Sequence, residues 1–279
     1  MKDIIIKADN LYFSYDDENS YSLNGLSLEI ERGRKVAFMG ANGAGKSTFF
    51  LCLNGIHKPS SGTLYLDGEP ADYSKKGLLA LRSKVGIVFQ DPDNQLFSAS
   101  VLQEISFGAL NMGMSPEKAR EEVAKVIDSL EITPFQEKPT HSLSGGQKKQ
   151  VSIADVLVMN PEVIILDEPA SSLDPKHTVI VDEIVNLLVE RGITVLMSTH
   201  NVDYALKWAD EIVVIDGGKT LIHDTPVSVF SNEAILKQAN LKKPAAMELF
   251  ESLVRKGILS EQLPIPRCLK ELEEYISRL

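Results

Sequence analysis

The sequence predicts an α/β chain with a largely parallel central sheet, and three observations carry that expectation. Short apolar runs alternate with longer helical patterns along most of the chain. Runs such as Val163-Ile-Ile-Leu166 are apolar at successive positions, as strands buried on both faces tend to be. Ser115-Pro116 and Asp174-Pro175 each set a cap residue before a proline at the first helical position. In order, strands are expected at Ile4–Ala8, Leu26–Ile30, Val36–Met39, Leu64–Leu66, Val85–Phe89, Val163–Asp167, Thr194–Ser198 and Ile212–Asp216. Helices are expected after Lys46 and at Pro116–Leu130, Gly146–Met159, Pro175–Val189 and Val202–Trp208.

Residues 95–160 show helical patterns and no convincing strand, which reads as a helical subdomain inserted into a sheet domain spanning 1–232. From 233 to 279 the pattern changes. Ala246, Leu249, Phe250 and Leu253 follow i, i+3, i+4, i+7 spacing, and Leu269, Leu272, Ile276 and Leu279 continue it beyond a Pro-rich break. This predicts a C-terminal helical extension with an apolar face that packs on its own domain, a partner or dimer surface being the alternative.

Composition narrows the function classes. The 279 residues carry 29 Lys+Arg against 39 Asp+Glu, a net charge of −10, so no basic field invites nucleic acid. Cys52 and Cys268 are too few and too far apart for a disulfide scaffold, and reduced thiols are expected. The opening MKDIIIKADN lacks the apolar core of a signal peptide, and no apolar run approaches the roughly 20 residues of a membrane helix.

Three short motifs carry chemistry. The strand Val36–Met39 runs into Gly40-Ala41-Asn42-Gly43-Ala44-Gly45-Lys46-Ser47-Thr48, which fits G-x-x-x-x-G-K-[ST] in its strand–loop–helix setting. Its glycines let successive N–H groups point at phosphate oxygens, the following helix adds a positive end, and Lys46 adds a mobile charge. Ser47 offers a hydroxyl to Mg²⁺, with Thr48 beside it. The second motif ends a buried strand in Asp167-Glu168-Pro169. Asp167 suits a metal-bound water, and Glu168 is placed to orient or deprotonate an attacking water. The third, Leu143-Ser144-Gly145-Gly146-Gln147, precedes an apolar helix; Ser144 is a natural N-cap and the glycines expose N–H groups at a positive helix end. His200 follows a buried strand ending in Ser198-Thr, at the phosphate edge of the sheet. His57, His141, His177 and His223 show no metal-binding spacing.

With these residues in the order Gly40–Ser47, Leu143–Gln147, Asp167-Glu168, the chain resembles the nucleotide-binding subunits of ABC transporters over residues 4–225. Ser171-Ser-Leu-Asp174 is similar to the family's D-loop and His200 to its switch histidine; Gln90 is similar to the Q-loop glutamine. Tyr15 matches the aromatic that stacks on adenine, with Tyr12 and Phe13 as neighbouring competitors. The resemblance implies a P-loop, RecA-like ATPase core that hydrolyses ATP with Mg²⁺ held by Ser47, Gln90 and Asp167. It further implies a head-to-tail dimer, with a second copy or a related ATPase, in which each Ser144–Gln147 closes over the partner's ATP. Two departures stand out: Gln150, where the family often has Arg, and Asp155, where a small residue is common.

The stretch Val88-Phe-Gln-Asp-Pro-Asp-Asn-Gln-Leu-Phe97 resembles the ATPases of energy-coupling-factor importers, in particular those serving cobalt. That implies integral membrane transport components as partners, a peripheral location on the cytoplasmic face of the cell membrane, and no nucleic acid. Leu96, Phe97, Val101 and Phe107 are the expected receiving surface for a membrane partner. Nickel or vitamin uptake is the nearest alternative. A soluble ABC ATPase acting on nucleic acid or ribosomes fits less well, because such proteins usually carry two ATPase domains or a coiled-coil insertion. A P-loop kinase conflicts with the signature motif and with Glu168.

Overall fold

The computed structural model describes residues 3–16, 20–169 and 175–278. In chain order the elements are β1 (Ile4–Phe13), β2 (Leu23–Glu31), β3 (Lys35–Met39), α1 (Lys46–Leu53), β4 (Ser61–Leu66), β5 (Glu69–Pro70), α2 (Lys75–Lys84) and β6 (Val85–Val88). Then come α3 (Val101–Asn111), α4 (Pro116–Ser129), α5 (Gly145–Leu157), β7 (Val163–Asp167), α6 (Pro175–Glu190), β8 (Thr194–Ser198), α7 (Val202–Trp208) and β9 (Glu211–Asp216). The chain ends with β10 (Lys219–Asp224), α8 (Pro226–Ser231), α9 (Glu233–Gln238), α10 (Ala245–Arg255) and α11 (Leu269–Ile276).

One sheet has the order β10-β9-β3-β8-β7-β6, with β9, β3, β8, β7 and β6 parallel and β10 antiparallel. Successive residues along its parallel strands enter two different cores. Ala37, Met39, Ile164, Leu166, Val195 and Met197 join the helices on one face, while Val36, Phe38, Val163, Ile165 and Leu196 meet Phe49, Phe50 and Leu53 of α1 on the other. A strand buried on both faces has no polar side to show, which is why VIIL reads as a continuous apolar run.

The largely parallel central sheet is present, but three of the expected strands do not join it. Ile4–Ala8, Leu26–Ile30 and Leu64–Leu66 lie in a separate antiparallel sheet of order β2-β1-β4-β5, packed over α1. Leu26-Ser-Leu-Glu-Ile30 alternates, with Ser27 and Glu29 exposed, as a strand with one solvated face should. The helical insertion is present: residues 95–160 hold α3, α4 and α5 between β6 and β7, which pair directly.

The C-terminal stripe is partly corrected. Ala246, Phe250 and Leu272 are buried, and Phe250 and Leu272 form a small core with Leu259. Leu249, Leu269 and Ile276 are exposed, because two short helices cover only one side of each other. Leu279 lies outside the described residues. Met247 and Ile265 pack against the main helical core, so the extension is docked on the sheet domain. None of the described helices is long and apolar enough to cross a membrane.

Candidate active site

The parallel register gathers one end of each inner strand onto a common edge. Asp167 of β7 pairs with Ser198 of β8, and Phe38 of β3 pairs with the same Ser198. The segments leaving these strands, Gly40–Gly45, Gln90, Glu168 and His200, therefore emerge side by side, where open α/β sheets bind ligands. Thr199 donates its N–H to Phe38 O at 3.2 Å, tying the His200 segment to the start of the phosphate loop.

Two glycines in that loop have no substitute. At Gly40 (φ +140°) an added Cβ would stand 2.1 Å from Ile215 O, and at Gly45 (φ +112°) 2.6 Å from Ser22 O. The turn between β9 and β10 supports the loop from below, Gly218 N–H donating to Ala44 O at 2.9 Å. Ala41, Asn42 and Gly43 are exposed between the buried Gly40 and Ala44. A cavity of about 450 Å³ opens beside Gly40, Ala41 and Asn42, with His200 and Asn240 on its other walls.

Lys46 is buried, and its Nζ spans the loop to Gly40 O at 2.8 Å and Ala41 O at 3.0 Å. Burial lowers its pKa, against the opposing pull of Glu168 and Asp167. Ser47 Oγ donates to Asp167 Oδ2 at 3.0 Å, so the loop and the acidic strand end meet through two hard oxygens. Asp167 Oδ1 accepts from Ser198 Oγ, which in turn accepts the Glu168 N–H at 2.8 Å. Glu168 has positive-φ backbone, φ +43°, a conformation uncommon for a non-glycine residue. Its carboxylate sits between His200 Nε2, 2.9 Å from Oε1, and Gln90 Nε2, 3.4 Å from Oε2.

Among Tyr12, Phe13 and Tyr15, Tyr15 is the exposed one, although its ring also meets Phe13 and His57 edge-on. It is 58% exposed, and its hydroxyl lies 3.3 Å from Thr48 Oγ1. Phe13 stacks on His57 and Tyr12 packs edge-on against Tyr21.

Ser144, Gly145, Gly146 and Gln147 stand apart. Ser144 caps α5 with a reciprocal box: Ser144 Oγ takes the Gln147 N–H, and Gln147 Oε1 takes the Ser144 N–H at 3.1 Å. Among the described residues no hydrogen bond joins 144–147 to 40–48. Ser171–Asp174 lies outside the described residues. At Gln150, Nε2 donates to Leu130 O inside the helical subdomain, so that position makes a neutral internal contact.

Three contributors were not apparent from sequence. Ser198 holds both acids in place, and only its pairing opposite Asp167 reveals it. Gln95 accepts the Phe89 N–H at 3.3 Å and donates to Ser152 O at 2.9 Å. Lys149, 1% exposed, donates from Nζ to Phe89 O and Gln90 O, both at 2.8 Å. Burial pushes its pKa down to about 8, opposed by Asp167 and Asp91. The signal for Lys149 was its spacing, four residues before Ile153 and seven before Val156, which puts a charge on the buried stripe of α5.

The expected receiving surface is also partly corrected. Phe97 and Phe107 are exposed and meet edge-to-face at 4.9 Å, with Leu102 and Leu110 also exposed on α3. Val101 is fully buried, because it opens α3 on the inward side, and Leu96 is packed against the helical core.

Comparison with known proteins gives a consistent result. A family model described as ABC transporter matches residues 23–171. The energy-coupling factor transporter ATP-binding protein EcfA3 of Clostridium perfringens is 44% identical over 270 residues, covering 95% of this chain and 93% of that protein. EcfA of Methanococcus maripaludis is 40% identical over 274 residues, covering 98% of each. Among solved structures, cbiO1 from Clostridium perfringens, part of the ABC transporter complex cbiONQ, superposes with a TM-score of 0.75 at 44% identity, covering 90% of this chain and all of that one. The dimeric ATP-binding cassette MJ0796, in a post-hydrolysis state bound to ADP and Pi, superposes with a TM-score of 0.71 at 28% identity, covering 80% of this chain and 99% of that one.

Proposed function

We propose, from the premise that this chain belongs to the ABC transporter family and is an ABC-type ATPase, that it is the ATP-hydrolysing subunit of an energy-coupling-factor importer. The observation that carries the chemistry is Glu168, held between His200 and Gln90 one residue beyond the Asp167–Ser47 contact. A carboxylate aimed by two neighbours at the mouth of a phosphate loop is a general base for water. The backbone from Gly40 to Gly45, with Lys46, Ser47 and Thr48, holds the phosphates; Tyr15 stacks on adenine, since its ring is the exposed one. Gln90 and His200 orient the attacking water and sense the γ-phosphate.

Ser47, Asp167 and Gln90 offer hydroxyl, carboxylate and amide oxygens, a donor set that suits Mg²⁺. When bound, Mg²⁺ neutralises phosphate charge at the reacting end of the nucleotide. Ser144, Gly145, Gly146 and Gln147 complete the site of a second ATPase subunit, identical or related, in a head-to-tail dimer. Residues 1–232 form the nucleotide-binding domain and 233–279 an extension.

Glu168→Gln is the direct test. It should retain ATP binding, lower turnover by about 10²–10⁴-fold and accumulate as a dimer on size-exclusion chromatography with ATP. Turnover at the parental rate would remove Glu168 from the mechanism.

The proposed partner is an integral membrane component, which places the chain at the cytoplasmic face of the membrane. Relatives named as energy-coupling factor transporter ATP-binding proteins and the exposed Phe97–Phe107 pair support this reading. Phe97→Asp should release the ATPase from membranes while ATP binding persists. The proposed substrate is cobalt, on the likeness of residues 88–97 to cobalt-importing members and the similarity to cbiO1. Deletion of the chain should lower uptake of labelled Co²⁺; unchanged Co²⁺ uptake, with uptake of Ni²⁺ or a vitamin lowered instead, would reassign the substrate.

A further inference from the structure

Three backbone groups just after β6, Phe89 N–H, Phe89 C=O and Gln90 C=O, are bonded to side chains. Both carbonyls accept from Lys149 Nζ at 2.8 Å, and the Phe89 N–H donates to Gln95 Oε1 at 3.3 Å. Gln95 is itself tied to α5, its Nε2 donating to Ser152 O at 2.9 Å and to Asp155 Oδ2 at 3.3 Å. Every one of these bonds therefore leads, directly or in one step, into α5. That helix is capped by Ser144, five residues before Lys149.

The anchoring is strong for its size. Lys149 is 1% exposed, and its ammonium has given up water for two carbonyls. Hydrogen bonds from a charged donor are stronger than neutral ones, and letting go of either carbonyl would leave a buried charge under-satisfied. A helix is stiff over a turn and a half, so displacement of residues 89–90 is passed to residues 144–146.

We propose that Lys149 is a positioning residue that makes the Phe89–Gln90 segment and α5 move as one body, coupling the two nucleotide sites of the dimer. Gln90 answers to the nucleotide of its own subunit. Ser144–Gly146, at the far end of the strut, answers to the nucleotide of the partner. Engagement of one site thereby sets the signature of the other. The proposal rests on the composite-site reading given above.

The test is steady-state ATPase activity against ATP concentration for the parent, Lys149→Met and Lys149→Arg. The methionine keeps the length and apolar stem of the side chain without its donors, and the arginine keeps donors. Coupling between sites is typically worth about 5–150-fold in affinity. We expect a parental Hill coefficient above 1, a fall toward 1 in Lys149→Met with kcat lowered about tenfold or more, and partial recovery of both in Lys149→Arg. ATP affinity of the isolated subunit should change by less than about threefold, because Lys149 does not touch the phosphate loop. A merely structural lysine would lower the amount of folded protein and leave the Hill coefficient of the folded fraction alone. If Lys149→Met does not fold, Lys149→Gln, whose side chain is uncharged and too short to bridge both carbonyls, should show the same fall in the coefficient. A parental coefficient above 1 that survives the loss of Lys149 would overturn the coupling role and leave the composite site standing. A parental coefficient of 1, with no ATP-dependent dimer of Glu168→Gln, would remove the composite site and this proposal together.

Discussion

Helices α1 and α5 both start in glycine-bearing loops, and the two starts are built in opposite ways. Gly45 begins α1 in left-handed backbone with no side-chain cap, and Lys46 reaches back to the carbonyls of its own loop. Ser144 begins α5 with a closed capping box whose hydrogen bonds are made within residues 144–147. The first start is wedged between Ser22, the β9–β10 turn and the sheet, so its geometry is imposed from outside. The second is self-sufficient and can travel with its helix without losing shape. On the proposed function, a phosphate loop must be rigid relative to the sheet that carries Asp167 and Glu168, whereas a signature that serves another subunit must keep its form while it moves. The difference in capping follows from that difference in duty.

The largest effect on nucleotide binding that would break this comparison is at Lys46. Lys46→Ala removes the mobile cation of the loop and should reduce ATP affinity by roughly tenfold to a hundredfold, read by equilibrium binding of labelled nucleotide. Retained affinity would mean that the backbone alone suffices. Ser144→Arg should leave ATP binding by the isolated subunit intact and stop turnover. Mixed with Lys46→Ala, it should recover one working site per heterodimer; no recovery, even in a linked pair, would show that α5 does not serve a second subunit.

The smallest effect concerns what α5 buries behind its cap. Asp155 accepts from Gln95, and burial pushes its carboxyl from an ordinary 3.8 up to about 7. The folded chain thus holds a proton that the unfolded chain has released, so the stability associated with this group is full below pH 3.8 and lost as pH rises toward 7. Asp155→Asn should gain on the order of 2 kcal/mol over the parent at pH 8, and almost nothing at pH 4, in urea midpoints. A constant difference across that range would assign the effect to packing and not to the proton. No comparable buried acid lies on α1.

Much of the active edge was legible in the chain because its elements are local. A loop that must turn through left-handed backbone requires glycine at 40 and 45, a helix start requires its serine at 144, and strands covered on both faces must be apolar at every position. Such constraints act within a few residues and leave motifs. For that reason Gly40–Thr48, Leu143–Gln147 and Asp167-Glu168 stand out, in order, from residue type and spacing alone. The elements that escaped, α2, β5, β10, α8 and α9, are short or half-exposed and carry no such periodic signal.

What tertiary structure alone decided is which of these local pieces meet. The division into a parallel and an antiparallel sheet depends on which strand edges find each other across the chain, and hydrogen bonds between strands are indifferent to side-chain identity. The role of Ser198 depends on register, since a one-residue slip would turn it away from Asp167. Lys149 reads as an ordinary helix residue until α5 is laid against the end of β6, where its amine finds two carbonyls 59 and 60 residues away. Sequence by itself determined the chemistry available, because chemistry resides in residue types at short spacing; long-range packing decided which groups could act together.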